Sequence, residues 1–159
     1  MDISIRAMTQ ADKPAIMQIL RHTPEFKPAE VLVAEEVIDG YLGTLDHGGY
    51  FALVAEVGAD IVGYICFGAT PLTESTWDIF WMAVAPDRQG QGIGGVLMET
   101  CVKNIREAGG KLAIIETSSI PEYERTRRFH YHHGFELVAT IPDFYAPGDD
   151  MILLQQRLR

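Results

Sequence analysis

The fold turns on residues 85–98, Ala85-Pro86-Asp87-Arg88-Gln89-Gly90-Gln91-Gly92-Ile93-Gly94-Gly95-Val96-Leu97-Met98. Just upstream, the apolar and aromatic run Trp77–Ala85 stops at Pro86, as a buried strand would. From Gly92 to Ala108, the residues Ile93, Leu97, Cys101, Ile105 and Ala108 recur at helical spacing, and Gly109-Gly110 supplies a stop. Four glycines therefore crowd a strand-to-helix junction, where each lowers local stability by roughly 0.5–1 kcal/mol relative to alanine. Close packing of a helix on a sheet asks for one or two of them. Four imply that a ligand approaches this backbone, and a helix start attracts anions through its free N–H groups and its dipole.

Read literally, Gly90–Gly95 matches G-x-G-x-x-G, and Glu116 ends the next strand near where a ribose-binding carboxylate belongs. Two features oppose a dinucleotide site. Pro86–Gln89 carry the chain off the sheet before the first glycine, and only about 65 residues follow Gly95, too few for a doubly wound sheet. One residue earlier, Gln89-Gly90-Gln91-Gly92-Ile93-Gly94 reads Q-x-x-G-x-G after the strand end Met82-Ala83-Val84. This resembles the pyrophosphate loop of the GNAT superfamily of N-acetyltransferases. A second stretch, Thr126-Arg127-Arg128-Phe129-His130-Tyr131-His132-His133-Gly134-Phe135, is similar to the family's A-R-x-F-Y-x-x-x-G-F and follows at the right distance.

Working outward, Ile3–Met8 alternates as a strand, and Thr9 with Asp12 forms a capping signal for a helix to about Arg21. A proline-bracketed loop, 24–28, leads to a helix over Ala29–Leu42. Strands Tyr50–Val57 and Ile61–Gly68 flank the hairpin signal Gly58-Ala59-Asp60. After the glycine helix come a strand over Lys111–Ser119, a helix opened by the capping box Ser119–Glu122, and strands Phe135–Ile141 and Asp149–Leu158 around the loop 142–148. The order β-α-α-β-β-β-α-β-α-β-β predicts an α+β, mixed three-layer fold. It is also the family's order over essentially the whole chain. The resemblance implies a single domain over 1–159, with a mostly antiparallel sheet whose strands splay at the acetyl-CoA site.

Composition agrees. The net charge of −9 over 159 residues opposes nucleic-acid and anionic-membrane surfaces. It leaves anion binding by backbone N–H groups open. Cys66 and Cys101, both in apolar runs, read as reduced core thiols. No basic-then-apolar start and no long apolar run is present, so a cytoplasmic protein is expected.

The resemblance implies site residues. Backbone N–H groups of Gln89, Gly90, Gln91, Gly92, Ile93, Gly94 and Gly95 would hold the pyrophosphate of acetyl-CoA. Met82, Ala83 and Val84, on the freed strand edge, would meet its pantetheine arm. Acetyl transfer to an amine needs a base, an oxyanion donor and an acid for the leaving thiolate. Asp78, four residues before Met82 and expected on the same strand face, is the candidate base. A solvated strand-entry carboxylate is the alternative. The chain departs from the family where a tyrosine usually protonates the thiolate, because His130 stands there and Tyr131 faces elsewhere on the helix. An imidazolium would be a competent acid near neutrality, and Tyr145 or water would be the substitutes. Tyr123 and Thr126 share the face of His130, and Tyr123 takes the place of an asparagine that often contacts pantetheine. His132 and His133 diverge on the helix and have no partners at metal-ligand spacing, so no metal is expected.

For the acceptor, the resemblance points to the loops holding Phe26, Glu74, Trp77, Phe144 and Tyr145, with Asp143, Asp149 and Asp150 as further acids. Aromatic walls with anionic ends suit a small primary amine, an amino acid or an aminoglycoside-like compound, acetylated by direct transfer in a ternary complex. A homodimer is frequent in the family. Two other readings stay open. One is an acyl-CoA-binding sensor on the same fold, and the other is a dinucleotide-dependent oxidoreductase.

Overall fold

The apolar alternations and helical stripes condense into β1 (Ile3–Ala7), α1 (Lys13–His22), α2 (Pro28–Gly43), β2 (Tyr50–Val57), β3 (Asp60–Ala69) and β4 (Thr76–Val84). They continue as α3 (Ile93–Glu107), β5 (Leu112–Ser118), α4 (Glu124–His132), β6 (Glu136–Ala146) and β7 (Asp149–Arg157). The computed structural model describes every residue from Met1 to Arg159. All seven strands join one sheet in the order β1-β2-β3-β4-β5-β7-β6. Only the β4–β5 pair is parallel. The result is the mixed, mostly antiparallel three-layer α+β fold expected from the element order.

Successive residues of a strand point to opposite faces, and two cores follow from that. Val54, Tyr64 and Cys66 pack under α1 and α2 against Ile16, Leu20, Ala34 and Ile38. Their neighbours Leu53, Ile65 and Phe67 face α3, through Ile93, Leu97, Cys101 and Ile105. Both cysteines are buried thiols.

Two irregularities of β4 shape the site. It pairs with β5 only over Thr76–Asp78 against Leu112–Ile114. Beyond that point β4 follows β3 as far as Val84, while β5 follows β7 as far as Ser118, so the strands part like a fork. Within β4, Trp81 opposes Cys66 and Ile79 opposes Phe67, which leaves Phe80 as a bulge residue. An inserted residue reverses the alternation. Trp77 and Ile79 before the bulge, and Met82 and Val84 after it, all touch the α3-side core. Asp78 therefore shares the α1/α2 face with Trp81 and Ala83, and not the face of Met82 as unbroken alternation predicts.

Two local expectations are also corrected. Ser119 does not cap a helix, because its Oγ accepts the Asp150 N–H at 2.8 Å. A 3-10 turn over Pro121–Tyr123 precedes α4 instead. Residues 142–146, expected in a loop, continue β6 around a bulge at Asp143, which adopts φ 57°. There the Asp143 N–H donates to Asp150 and the Asp143 carboxylate accepts the Gly148 N–H, so side chains replace lost ladder bonds.

Candidate active site

The glycine loop offers its backbone. None of the N–H groups from Gln89 to Gly95 donates to another backbone group, although they run directly into α3. Gly90 and Gly92 hold φ of 78° and 84°, a left-handed backbone that side chains disfavour, and a Cβ on either would stand in open space. Gly94 and Gly95 have a different task. A Cβ on Gly94 would lie 3.2 Å from the Phe129 ring, and one on Gly95 would lie 3.2 Å from His133. The first pair turns the N–H groups outward, and the second lets α4 close against the start of α3. Gln89 fastens the loop, donating from Nε2 to the Val84 carbonyl at 3.2 Å and accepting at Oε1 from Arg125 at 2.9 Å. Such a row of free donors at the end of a 15-residue helix fits a pyrophosphate.

Where β4 and β5 part, a cavity of about 610 Å³ opens, lined from both faces of the sheet. From the α4 side it receives Tyr123, Thr126 and His130, which helical spacing sets on one face. Met82, Ile79 and Ile115 line the fork itself. On the α2 side stand Phe26, Glu30, Val33 and Val37, with Asp78 and Trp81 beneath them. Phe26 meets Trp81 edge-on at 5.7 Å between centroids. Glu116, Asp149 and Tyr145 close the far wall. Asp78 is the last β4 residue still paired with β5, so it stands in the crotch of the fork. Thr70 donates to its Oδ2 at 2.7 Å, which leaves Oδ1 free to accept a proton.

His130 is 5% exposed, and its Nδ1 has no hydrogen-bond partner in the protein. Burial, with His133 nearby, pushes its pKa down to about 4. The imidazole is therefore neutral at neutral pH, and the imidazolium expected from its unperturbed pKa is not the resting form. Tyr145 is pushed the other way, up to about 12, by burial and by Glu116, Asp149 and Glu30. Tyr123 also rises, through burial and its hydrogen bond to Glu30 at 2.5 Å. Burial raises Cys66 to about 12 and lifts Cys101 well above its ordinary value, so neither thiol is poised as a nucleophile.

Several acceptor candidates lie elsewhere. Trp77, ahead of the bulge, points into the α3-side core beside Phe67 and beneath Gly110. Glu74 is exposed in the preceding turn, and Phe144 is 51% exposed; neither lines the cavity. Asp143 and Asp150 build the β6–β7 bulge. Ala83 turns its side chain into the α1/α2 core, which leaves its backbone as the part a ligand could meet. Sequence reasoning passed over Glu30. Its signal was present, since Glu30, Ala34 and Ile38 follow at four-residue spacing, a carboxylate on an otherwise buried stripe. No group of three or more His, Cys, Asp or Glu side chains gathers to hold a metal.

A strand fork that opens into a cavity, with an anion-binding helix start just beyond the end of β4, is an acyl-CoA-type transferase architecture. The family model described as "Acetyltransferase (GNAT) domain" matches residues 46–137, more than half the chain. The protein belongs to the GNAT acetyltransferase family. A crystal structure of a GNAT-family acetyltransferase from Desulfovibrio desulfuricans superposes with a TM-score of 0.91 at 37% identity, covering 98% of this chain and 99% of that one. An N-acetyltransferase of Methanocaldococcus jannaschii is 30% identical over 107 residues, 64% of this chain. The match spans 62% of that relative's length. An aminoglycoside 6'-N-acetyltransferase complexed with coenzyme A shares the fold at TM-score 0.73 and 18% identity, over 99% of this chain and 97% of that one.

Proposed function

We propose that the protein transfers the acetyl group of acetyl-CoA to a primary amine of a small molecule, by direct transfer in a ternary complex within one domain. The observation that carries this reading is the cavity at the fork, with Asp78 in its crotch, together with the free N–H row that follows the end of β4. Acetyl-CoA, when bound, supplies the activated acetyl group and the thiolate that leaves. Gln89–Gly95 hold its pyrophosphate, and the unpaired edge of β4 from Met82 to Val84 aligns its amide-bearing arm.

Asp78 takes the acceptor's ammonium proton at its free oxygen, directly or through water, and so exposes the nucleophilic lone pair. His130, neutral at rest, serves as a relay. It accepts the second proton shed by the nitrogen at one ring atom and gives up the proton on the other, which ends on the departing sulfur. Protons balance: one leaves through Asp78 and one ends on the thiol. Tyr123 and Thr126 line the passage beside it. Phe26 and Tyr145 wall the acceptor end. The high thiol pKa values support direct transfer over an acyl-cysteine route. Two buried, unpaired cysteines also suit the reducing cytoplasm, where we place the protein.

A thiol-release assay with acetyl-CoA and a panel of amines tests the reading. Turnover with at least one small amine is expected. Stabilisation by acetyl-CoA without turnover on any amine or peptide would favour an acyl-CoA sensor instead.

We further propose a homodimer through β6. Every residue of this edge strand is exposed, and Leu137, Val138 and Ile141 stand apolar among them. Sedimentation analysis should show a dimer that Val138→Glu dissociates. A monomeric wild type would remove this part of the reading.

A further inference from the structure

The acceptor end of the cavity carries charge that the protein does not neutralise. Asp78, Glu30, Glu116 and Asp149 all line it, against the single cation Lys27. None of these four carboxylates takes part in any of the seven ion pairs of the protein. Their arrangement is nonetheless built. Tyr123 donates to Glu30 Oε2 at 2.5 Å, Ser118 donates to Asp149 Oδ1 at 2.5 Å, and Thr70 donates to Asp78 Oδ2 at 2.7 Å. In each case a hydroxyl orients one oxygen and leaves the other without a partner. Asp149 is only 7% exposed, and a buried carboxylate lacking a cation is costly unless a ligand brings one. The orphaned Nδ1 of His130 in the same cavity is a second sign of a site awaiting a polar ligand.

The four acids fall into two groups. Asp78 sits at the fork, where the reacting nitrogen must lie. Its strand neighbour Ile114 lies two residues before Glu116 on the same face, so strand geometry separates the Asp78 and Glu116 backbones by about 8 Å or more across the opening fork. Glu30 and Asp149 join Glu116 around Tyr145, whose pKa all three raise. Apolar side chains of Phe80, Ile114, Val33 and Val37 line the same cavity. Carboxylates at two places in such a cavity recognise a cation at each end of a methylene chain, and they repel an acceptor that carries its own carboxylate.

Resting on the acetyltransferase reading, we propose that the acceptor is an aliphatic diamine or polyamine. One nitrogen reacts at Asp78, and a second, protonated nitrogen is held at the part of the cavity that Glu30, Glu116 and Asp149 line. This excludes α-amino acids as preferred acceptors.

The test compares three amines of one chain length under saturating acetyl-CoA. Diaminopentane carries two nitrogens, pentylamine carries one, and lysine carries two with a carboxylate. The expected kcat/KM for diaminopentane exceeds that for pentylamine by about tenfold or more, the scale of one charge-assisted hydrogen bond. Lysine should fall below diaminopentane by a similar factor. Glu116→Gln and Glu30→Gln should each shrink the diaminopentane-to-pentylamine ratio, with most of the change in KM. Circular dichroism melts and stabilisation by acetyl-CoA verify that the variants fold. Pentylamine or lysine used as well as diaminopentane, or a ratio untouched in both variants, would overturn the diamine site while leaving acetyl transfer standing. No turnover on any amine would instead strike the underlying enzyme reading.

Discussion

On the α3 side of the fork the groups presented to a ligand are backbone N–H groups, all from the seven consecutive residues Gln89–Gly95. On the α2 side they are side-chain carboxylates drawn from α2, β4, β5 and β7. The first half is held by local backbone geometry at Gly90 and Gly92, the second by hydroxyl donors reaching across the fold, Tyr123 to Glu30 and Ser118 to Asp149. A backbone cradle tolerates any neighbour that leaves its φ angles alone. A side-chain constellation fails when one distant donor is lost. One end therefore suits a constant coenzyme, and the other can be retuned for a particular acceptor.

The largest expected effect lies at the junction of the halves. Asp78→Asn should lower kcat by about a thousandfold, within the range for a general base, while acetyl-CoA affinity measured by calorimetry stays near wild type. A parallel loss of both would merge the two halves into one.

A stability effect of similar size concerns His130. Its folded pKa of about 4 lies below the unfolded value of 6.5, so between these pH values the unfolded chain binds more protons. Stability thus rises with pH through the window and falls as pH drops from 6.5 towards 4, by about 3 kcal/mol in all. Urea titrations of wild type and His130→Gln should show this slope in the former and a flatter one in the latter. Equal slopes would mean that His130 is not held neutral.

A smaller change tests the acceptor half. Tyr123→Phe removes the donor that orients Glu30 and should raise the acceptor KM by about tenfold, as expected for a hydrogen bond to a charged group. The acetyl-CoA KM should move less. The reverse pattern would assign Tyr123 to the coenzyme. The smallest effect belongs to the loop. Gly92→Ala forces a side chain into φ 84° at a cost of about 1 kcal/mol, and isothermal titration should show acetyl-CoA binding weakened several-fold. An unchanged affinity would indicate that the loop does not set the coenzyme site.

The contrast explains what was legible in advance. Element order and the turn at Gly90–Gly95 follow from patterns within short windows, where spacing alone reports which residues share a face. Tyr123, Thr126 and His130 came together for the same reason. The acceptor end did not obey such windows. The bulge at Phe80 moved Asp78 away from the Met82 face and left Trp77 in the core, and no periodicity announces one inserted residue. Glu30 reaches Tyr123 across 93 positions of sequence.

From its residues alone, then, the chain declares a mixed three-layer sheet, a helix start stripped of side chains for an anion, and a histidine in place of the family's tyrosine. Only the tertiary structure decides that this histidine is neutral, because burial supplies the shift. Only it decides which acids face the cavity, because a fork and a bulge in β4 set their directions. Backbone turns are encoded locally, whereas burial and convergence of side chains exist only after distant strands have paired.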